Sequence, residues 1–189
     1  MKDKKVKKPA LTRDYLLRAT YSYLQKFATT EKNLRDVLIR KARRRLPVDD
    51  DGLLYAEAAV WIDDIVQKAV DRKLVDDHQF ALSRAASLAR SGNSRQKIIQ
   101  KLLARGVRAD MVEEVMETLA EQHPDMDFIA AVRYARKRRF GAFRADHAGP
   151  EFKEKHRAGM CRAGFSFTTA DRVLKMSYAE LEDVLYQRE

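Results

Sequence analysis

An all-α fold, three tandem three-helix modules forming an elongated, curved helical-repeat array, is predicted by three observations. Charge alternates in blocks along the chain. Apolar residues recur at helical spacing, with few of the Val/Thr/Ile alternations that strands need. An order of capping residue, apolar pair and glycine then returns after 58 residues.

The blocks are sharply drawn. Residues 1–45 hold 15 Lys/Arg against 4 Asp/Glu, and residues 46–80 hold 3 against 9. Residues 81–109 hold 7 against none, and 110–127 none against 7. Residues 128–175 hold 12 against 4, and 176–189 hold 1 against 4. Basic then acidic, three times over, is the signature of a repeated unit.

The elements follow in order. Residues 1–11, MKDKKVKKPAL, read as a basic flexible tail lacking the apolar stretch of a secretory signal. Module one spans 12–75. Helix begins near Thr12, with Leu16, Ala19, Tyr23 and Phe27 on one face; Thr30 caps the next, which carries Leu34, Val37 and Leu38. An insertion, LPVDDDG near 46–52, precedes a long helix from about Leu53 to Lys73 with Trp61, Ile62, Ile65 and Val66.

Module two, 76–122, is the clearest copy. Asp76 caps a helix bearing Phe80, Ala81, Ala85, Leu88 and Ala89, which Gly92-Asn93 breaks. Ser94 caps the second, with Ile98, Ile99, Leu102 and Leu103 as its apolar stripe, and Gly106 ends it in a left-handed turn. Asp110 with Glu113 opens the third, carrying Val112, Val115, Met116 and Leu119. Module three, 123–176, repeats this: Phe128–Phe140 for the first helix, Met160 for Leu102, Gly164 for Gly106, Phe165 for Val107, and Thr168 with Asp171 as capping pair. Ser177 with Glu180 starts a short C-terminal helix, 177–189.

Little catalytic chemistry is offered. There is no G-x-x-x-x-G-K, H-E-x-x-H, C-x-x-C or G-x-S-x-G, and His78, His123, His147 and His156 are scattered. No catalytic residue, metal ligand or cofactor is expected. The run Asp76-Asp77-His78 is better explained by an N-cap and its neighbour favouring a positive helix end than by a metal. Asp49–Asp51 read as a solvated loop. Cys161, the single cysteine, precludes an internal disulfide, suits a reducing cytoplasm, and beside Met160 reads as a buried thiol. No apolar run approaches the roughly 20 residues that span a bilayer.

The basic residues carry the functional signal. Arg43, Arg44 and Arg45 end the second helix of module one. Arg95, Lys97 and Lys101 lie off the apolar face of its counterpart in module two, with Arg105 and Arg108 around the turn. Arg136, Lys137, Arg138, Arg139 and Arg144 form the densest cluster, RKRRFGAFR. Three clusters in register with the repeat favour a polyanion or an acidic protein over a merely solvated face. The stretch SRQKIIQKLLARGVRADMVEEVM invites comparison with a base-reading helix–turn–helix. Its apolar stripe and its copies elsewhere are explained by module packing alone.

Together these stretches resemble the RecX regulators of the bacterial recombinase RecA. LVDDHQFALSRAASLARSGNSRQKIIQKLLARGV, 74–107, is similar to the family's central signature through Asp77, Phe80, Ala81, Arg90, Ser94, Ile98, Leu102, Arg105, Gly106 and Val107. YLQKFATTEKNLRDVLIRKARRR resembles its first module, and ARKRRFGAFR with RAGFSFTTADRVL its third. The chain departs from many relatives in Lys101, where an acid is common, in Ala142, and in the LPVDDDG insertion. The resemblance implies a non-enzymatic, cytoplasmic, monomeric protein that lies along the RecA–single-stranded-DNA filament and touches DNA weakly. It implies inhibition of RecA's ATPase, strand exchange and coprotease activities in DNA repair, recombination and the SOS response. Direct, sequence-nonspecific nucleic-acid binding is the alternative, and a helical adaptor for another protein a third reading.

Overall fold

The computed structural model describes residues 10–46, 52–144 and 150–186, without the side chains of residues 150 and 151. Ten α-helices, one 3-10 turn and no strand occur among the described residues. The first nine residues, the centre of the LPVDDDG insertion with Asp49–Asp51, His147 and the last three residues lie outside them. The chain divides into two compact units, residues 1–80 and 81–189.

The first unit packs α1 (Arg13–Leu24), α2 (Glu31–Arg43) and α3 (Leu53–Asp71) pairwise against one another. Thr12 Oγ1 accepts from Tyr15 N at 3.2 Å and Thr30 Oγ1 from Asn33 N at 3.1 Å, so α2 starts at the cap the sequence predicts and α1 starts near Thr12 as expected, on a hydroxyl cap of its own. Leu16, Leu34, Leu38, Ala58, Ile62 and Val66 close the core, and Leu11, counted with the tail, is buried in it too. Helices of this length are marginal alone in water, so the shared core holds them. Phe27 departs from its expected place: α1 stops at Leu24, and Phe27 lies beyond it, 55% exposed, its ring 5.2 Å from that of Tyr23.

The boundary between the units falls inside α4 (Asp77–Arg90), which Asp76 caps through Gln79 N at 2.9 Å. The second unit continues with α5 (Arg95–Ala104), α6 (Ala109–Gln122), α7 (Met126–Arg138), a 3-10 turn at Gly141–Phe143, α8 (Pro150–Arg162), α9 (Phe167–Lys175) and α10 (Tyr178–Tyr186). Ile98, Leu102, Val112, Val115, Met116 and Leu119 are buried on α5 and α6. Ala131, Val132, Met160, Phe165, Val173 and Leu181 form the core of α7 to α10.

The 58-residue repeat is visible as hydrogen bonding. At the end of α5, Gly106 N donates to Leu103 O and Val107 N to Leu102 O; at the end of α8, Gly164 N donates to Cys161 O and Phe165 N to Met160 O. Both glycines are left-handed, at φ +85° and +91°. The apolar plugs Val107 and Phe165 are buried behind them.

Four expectations are corrected. Leu103 is 44% exposed, because the apolar stripe of α5 is narrower than its sequence suggests and buries Ile98 and Leu102. Helix α6 starts after Arg108 with no side-chain cap; Asp110 ion-pairs with Arg108 instead, which lowers its carboxyl to about 2. Ser166, not Thr168, caps α9 through Thr169 N at 3.0 Å, while Asp171 faces Arg157 and Lys175. Cys161 is exposed, since α8 turns its neighbour Met160 into the core.

Candidate functional site

Two aspartates set the helices that carry the basic residues. Asp77 accepts the Glu31 N–H, the first of α2, at 2.8 Å, and Asp127, on α7, accepts the Arg95 N–H, the first of α5, at 2.8 Å. Each supplies the acceptor that an N-terminal backbone donor lacks and places a carboxylate at a positive helix end. Burial raises the Asp77 carboxyl above its ordinary value, only partly offset by that bond. The sequence predicts that Asp77 favours a positive helix end, and the end it meets belongs to a helix 46 residues upstream.

The N-terminus of α5 is fixed from a second side. Ser94 Oγ donates to Ala163 O at 2.6 Å and accepts from Lys97 N at 3.3 Å. Gly164 permits that approach, since a Cβ there would lie 2.6 Å from Ser94 Oγ. Gly92 does the same beside α7, where a Cβ would meet Tyr134 N at 3.0 Å. The bases of α5 and α7 are therefore held in a fixed relation.

On this frame two clusters far apart in sequence meet. Lys101 Nζ donates to Asn93 Oδ1 at 2.6 Å. Its ammonium is pushed below the ordinary lysine value, first by burial and then by the charges of Lys97, Arg84 and Lys137. Lys137 also lines, with Arg133, Arg136 and Leu185, a groove of about 340 Å³. The charges felt at Lys101, from Arg84 on α4, Lys97 on α5 and Lys137 on α7, together with Arg133 and Arg136 beside Lys137 in the groove, make up one cationic face. Arg84 and Arg133 were missed by sequence reading because neither belongs to one of the three basic runs; only the i, i+4 spacing of Arg133 and Lys137 hinted at a shared side.

The other candidates are placed differently. In the first unit, Arg43 donates to Tyr55 Oη at 3.2 Å, and Arg45 lies 3.5 Å above the Tyr15 ring. Arg44 and Arg45, with Lys41 and Tyr15, line a cavity of about 260 Å³. In the second unit Arg95 is exposed at the first turn of α5, and Arg105 caps its end. Arg108 is engaged by Asp110, and Arg136 comes within 3.8 Å of Glu182 on α10. Arg138 is exposed on α7, Arg139 ends that helix at φ +55°, and Arg144 covers the Phe152 ring at 4.2 Å. The loop carrying Arg144 is seated by His156, whose ring stacks on Phe140 at 4.5 Å and whose Nδ1 accepts from Gly141 N at 3.2 Å.

Among the described residues no group of three or more His, Cys, Asp or Glu could hold a metal, and no helix is long and apolar enough to cross a membrane. Comparison with known proteins decides the family. A regulatory protein RecX from Myxococcus xanthus (strain DK1622) is 35% identical over 164 residues, covering 85% of this chain and 84% of the relative. The chain belongs to the RecX family. A regulatory protein RecX from Agrobacterium fabrum (strain C58) agrees, at 36% identity over 162 residues, 86% of this chain and 83% of the relative. The family model of the RecX second three-helix domain matches residues 76–116, the α4–α6 copy of the repeat. A crystal structure of RecX from Lactobacillus salivarius has the same fold, with a TM-score of 0.62 at 20% identity, covering 90% of this chain and 96% of that one. The helical-repeat architecture read from the sequence is thus that of RecX, whose named members are regulatory proteins.

Proposed function

We propose that this RecX-family chain is a non-enzymatic cytoplasmic regulator that binds the RecA–single-stranded-DNA filament and inhibits RecA's ATPase, strand exchange and coprotease activities. The observation that carries the reading furthest is the cationic face shared by α4, α5 and α7. A nucleoprotein filament presents phosphates and protein surface side by side. A face of lysines and arginines, with the Arg136–Glu182 ion pair beside it, suits both. Three tandem modules, with boundaries at 12–75, 76–122 and 123–176, are part of this proposal: successive copies would meet successive filament protomers. Monomeric action and weak contact with DNA belong to it as well.

Direct nucleic-acid binding remains the second reading, because the same face could neutralise phosphates unaided. The two separate in an ATPase assay. Substoichiometric protein suppresses RecA's DNA-dependent ATP hydrolysis at a salt concentration where it scarcely binds bare DNA. Tight DNA binding without inhibition overturns the filament reading.

A further inference from the structure

Beside the cationic face lies a second feature of different chemistry. A cavity of about 300 Å³ opens between α4, α6 and α7. Its floor is aliphatic: Ala86 and Ala89 from α4, Leu119 from α6, and Met126 and Ile129 from α7. Ala89, Leu119 and Ile129 are buried, whereas Ala86 and Met126 are half-exposed at the opening. Arg90 on α4, Arg133 on α7 and His123 at the end of α6 complete the lining, which includes no carboxylate.

We propose that this cavity is a docking site for an acidic peptide segment of a partner protein, which inserts one leucine-sized side chain between flanking Asp or Glu residues. The volume is at the low end for ligand pockets and suits a single anchor. An apolar floor rewards burial of such an anchor by roughly 25 cal/mol per Å² removed from water, and Met126 can adapt to its shape. Arg90 from α4 and Arg133 from α7 both line the cavity, so carboxylates flanking the anchor find guanidinium partners. A nucleic-acid base is the poorer occupant, because the lining holds no Phe, Tyr or Trp on which it could stack.

Arg133 also lines the groove of the cationic face. One arginine therefore serves both surfaces, and an acidic segment in the cavity takes from a polyanion one of its contacts. Peptide and DNA are adjacent, competing ligands of the second unit.

The experiment uses the full chain with 13C-methyl-labelled Ala, Ile and Met, titrated with the peptide GEELEEG. The expected result is concentration-dependent shifts at the Ala86, Met126 and Ile129 methyls, with affinity at least tenfold weaker for GEESEEG and for the Arg90→Glu protein. Ala86→Trp, at a half-exposed wall, blocks the cavity and removes the shifts while helix content is kept. Equal shifts with GEESEEG would mean that charge alone is read. Comparable shifts of the same methyls with oligothymidylate would mean that a base occupies the cavity. Either result, or no shift at millimolar peptide, overturns the proposal. No RecA is present, so failure here leaves the filament reading standing.

Discussion

Replacing Gly164 by alanine separates two reasons for a glycine. At φ +91° any side chain is strained, at a cost of about 1–2 kcal/mol. The added Cβ would also lie 2.6 Å from Ser94 Oγ, which is buried and holds Ala163 O. Moving Ser94 gives up that hydrogen bond and strands a carbonyl, about 1–3 kcal/mol more. The variant should lose about 2–5 kcal/mol in all. Gly52 supplies the control, for its φ is +92° and its Cβ would meet nothing within 4 Å. Gly52→Ala should cost only the conformational part. Urea unfolding followed by circular dichroism measures both, with Trp61, the single tryptophan, reporting the first unit. A Gly164→Ala cost no larger than that of Gly52→Ala would refute the claim that the RAGF turn exists to admit Ser94.

Arg139 ends α7 at φ +55° with no glycine, so Arg139→Gly should stabilise the protein by about 0.5–1 kcal/mol in the same assay; a loss would show that its side chain holds the turn. His156 titrates below the ordinary imidazole value of 6.5, because burial and then Arg144 disfavour its charge. Its folded form resists protonation, so the stability it supports is present above about pH 6.5 and is lost as pH falls through the lower, folded value. The urea midpoint should drop between about pH 7.5 and 5.5 in the wild type and less in His156→Gln, whose amide can still accept from Gly141; equal drops would dismiss His156 as the titrating group. Changing Lys97, Lys101 and Lys137 to Glu together should flatten the salt dependence of single-stranded DNA binding by about 2 in log K against log salt, at roughly 0.7 for each phosphate no longer neutralised. An unchanged slope would mean that these lysines do not face phosphates.

The sequence made the helices legible wherever cap, apolar pair and glycine coincide. Thr12, Thr30, Asp76, Ser94 and Ser177 start helices as expected, because each cap is a local bond between residues three apart. Reading failed where another partner outbid the expected one. Asp110 turned to Arg108, and Asp171 to Arg157, so neither acts in a capping pair. The candidate basic residues were visible as three runs, but their grouping was not. The charge of Lys137 is felt at Lys101 because the Asp127–Arg95 bond, between partners 32 residues apart, ties α7 to α5. No spacing in a single sequence encodes that meeting. The aliphatic cavity was hidden for the same reason, since its walls come from three helices whose lining residues look like ordinary core positions.

Affinity of the full chain for RecA-coated against bare single-stranded DNA, compared at one moderate salt concentration, separates filament recognition from plain polyanion binding. Fluorescence anisotropy of labelled chain, with and without Lys101→Glu and Lys137→Glu, reads both. Binding to the RecA-coated strand should be at least tenfold tighter, with that preference surviving in the wild type at salt that abolishes bare-DNA binding and weakened in the double variant. Equal affinity for coated and bare strands would contradict filament recognition, and would make the protein a plain polyanion binder on a RecX fold.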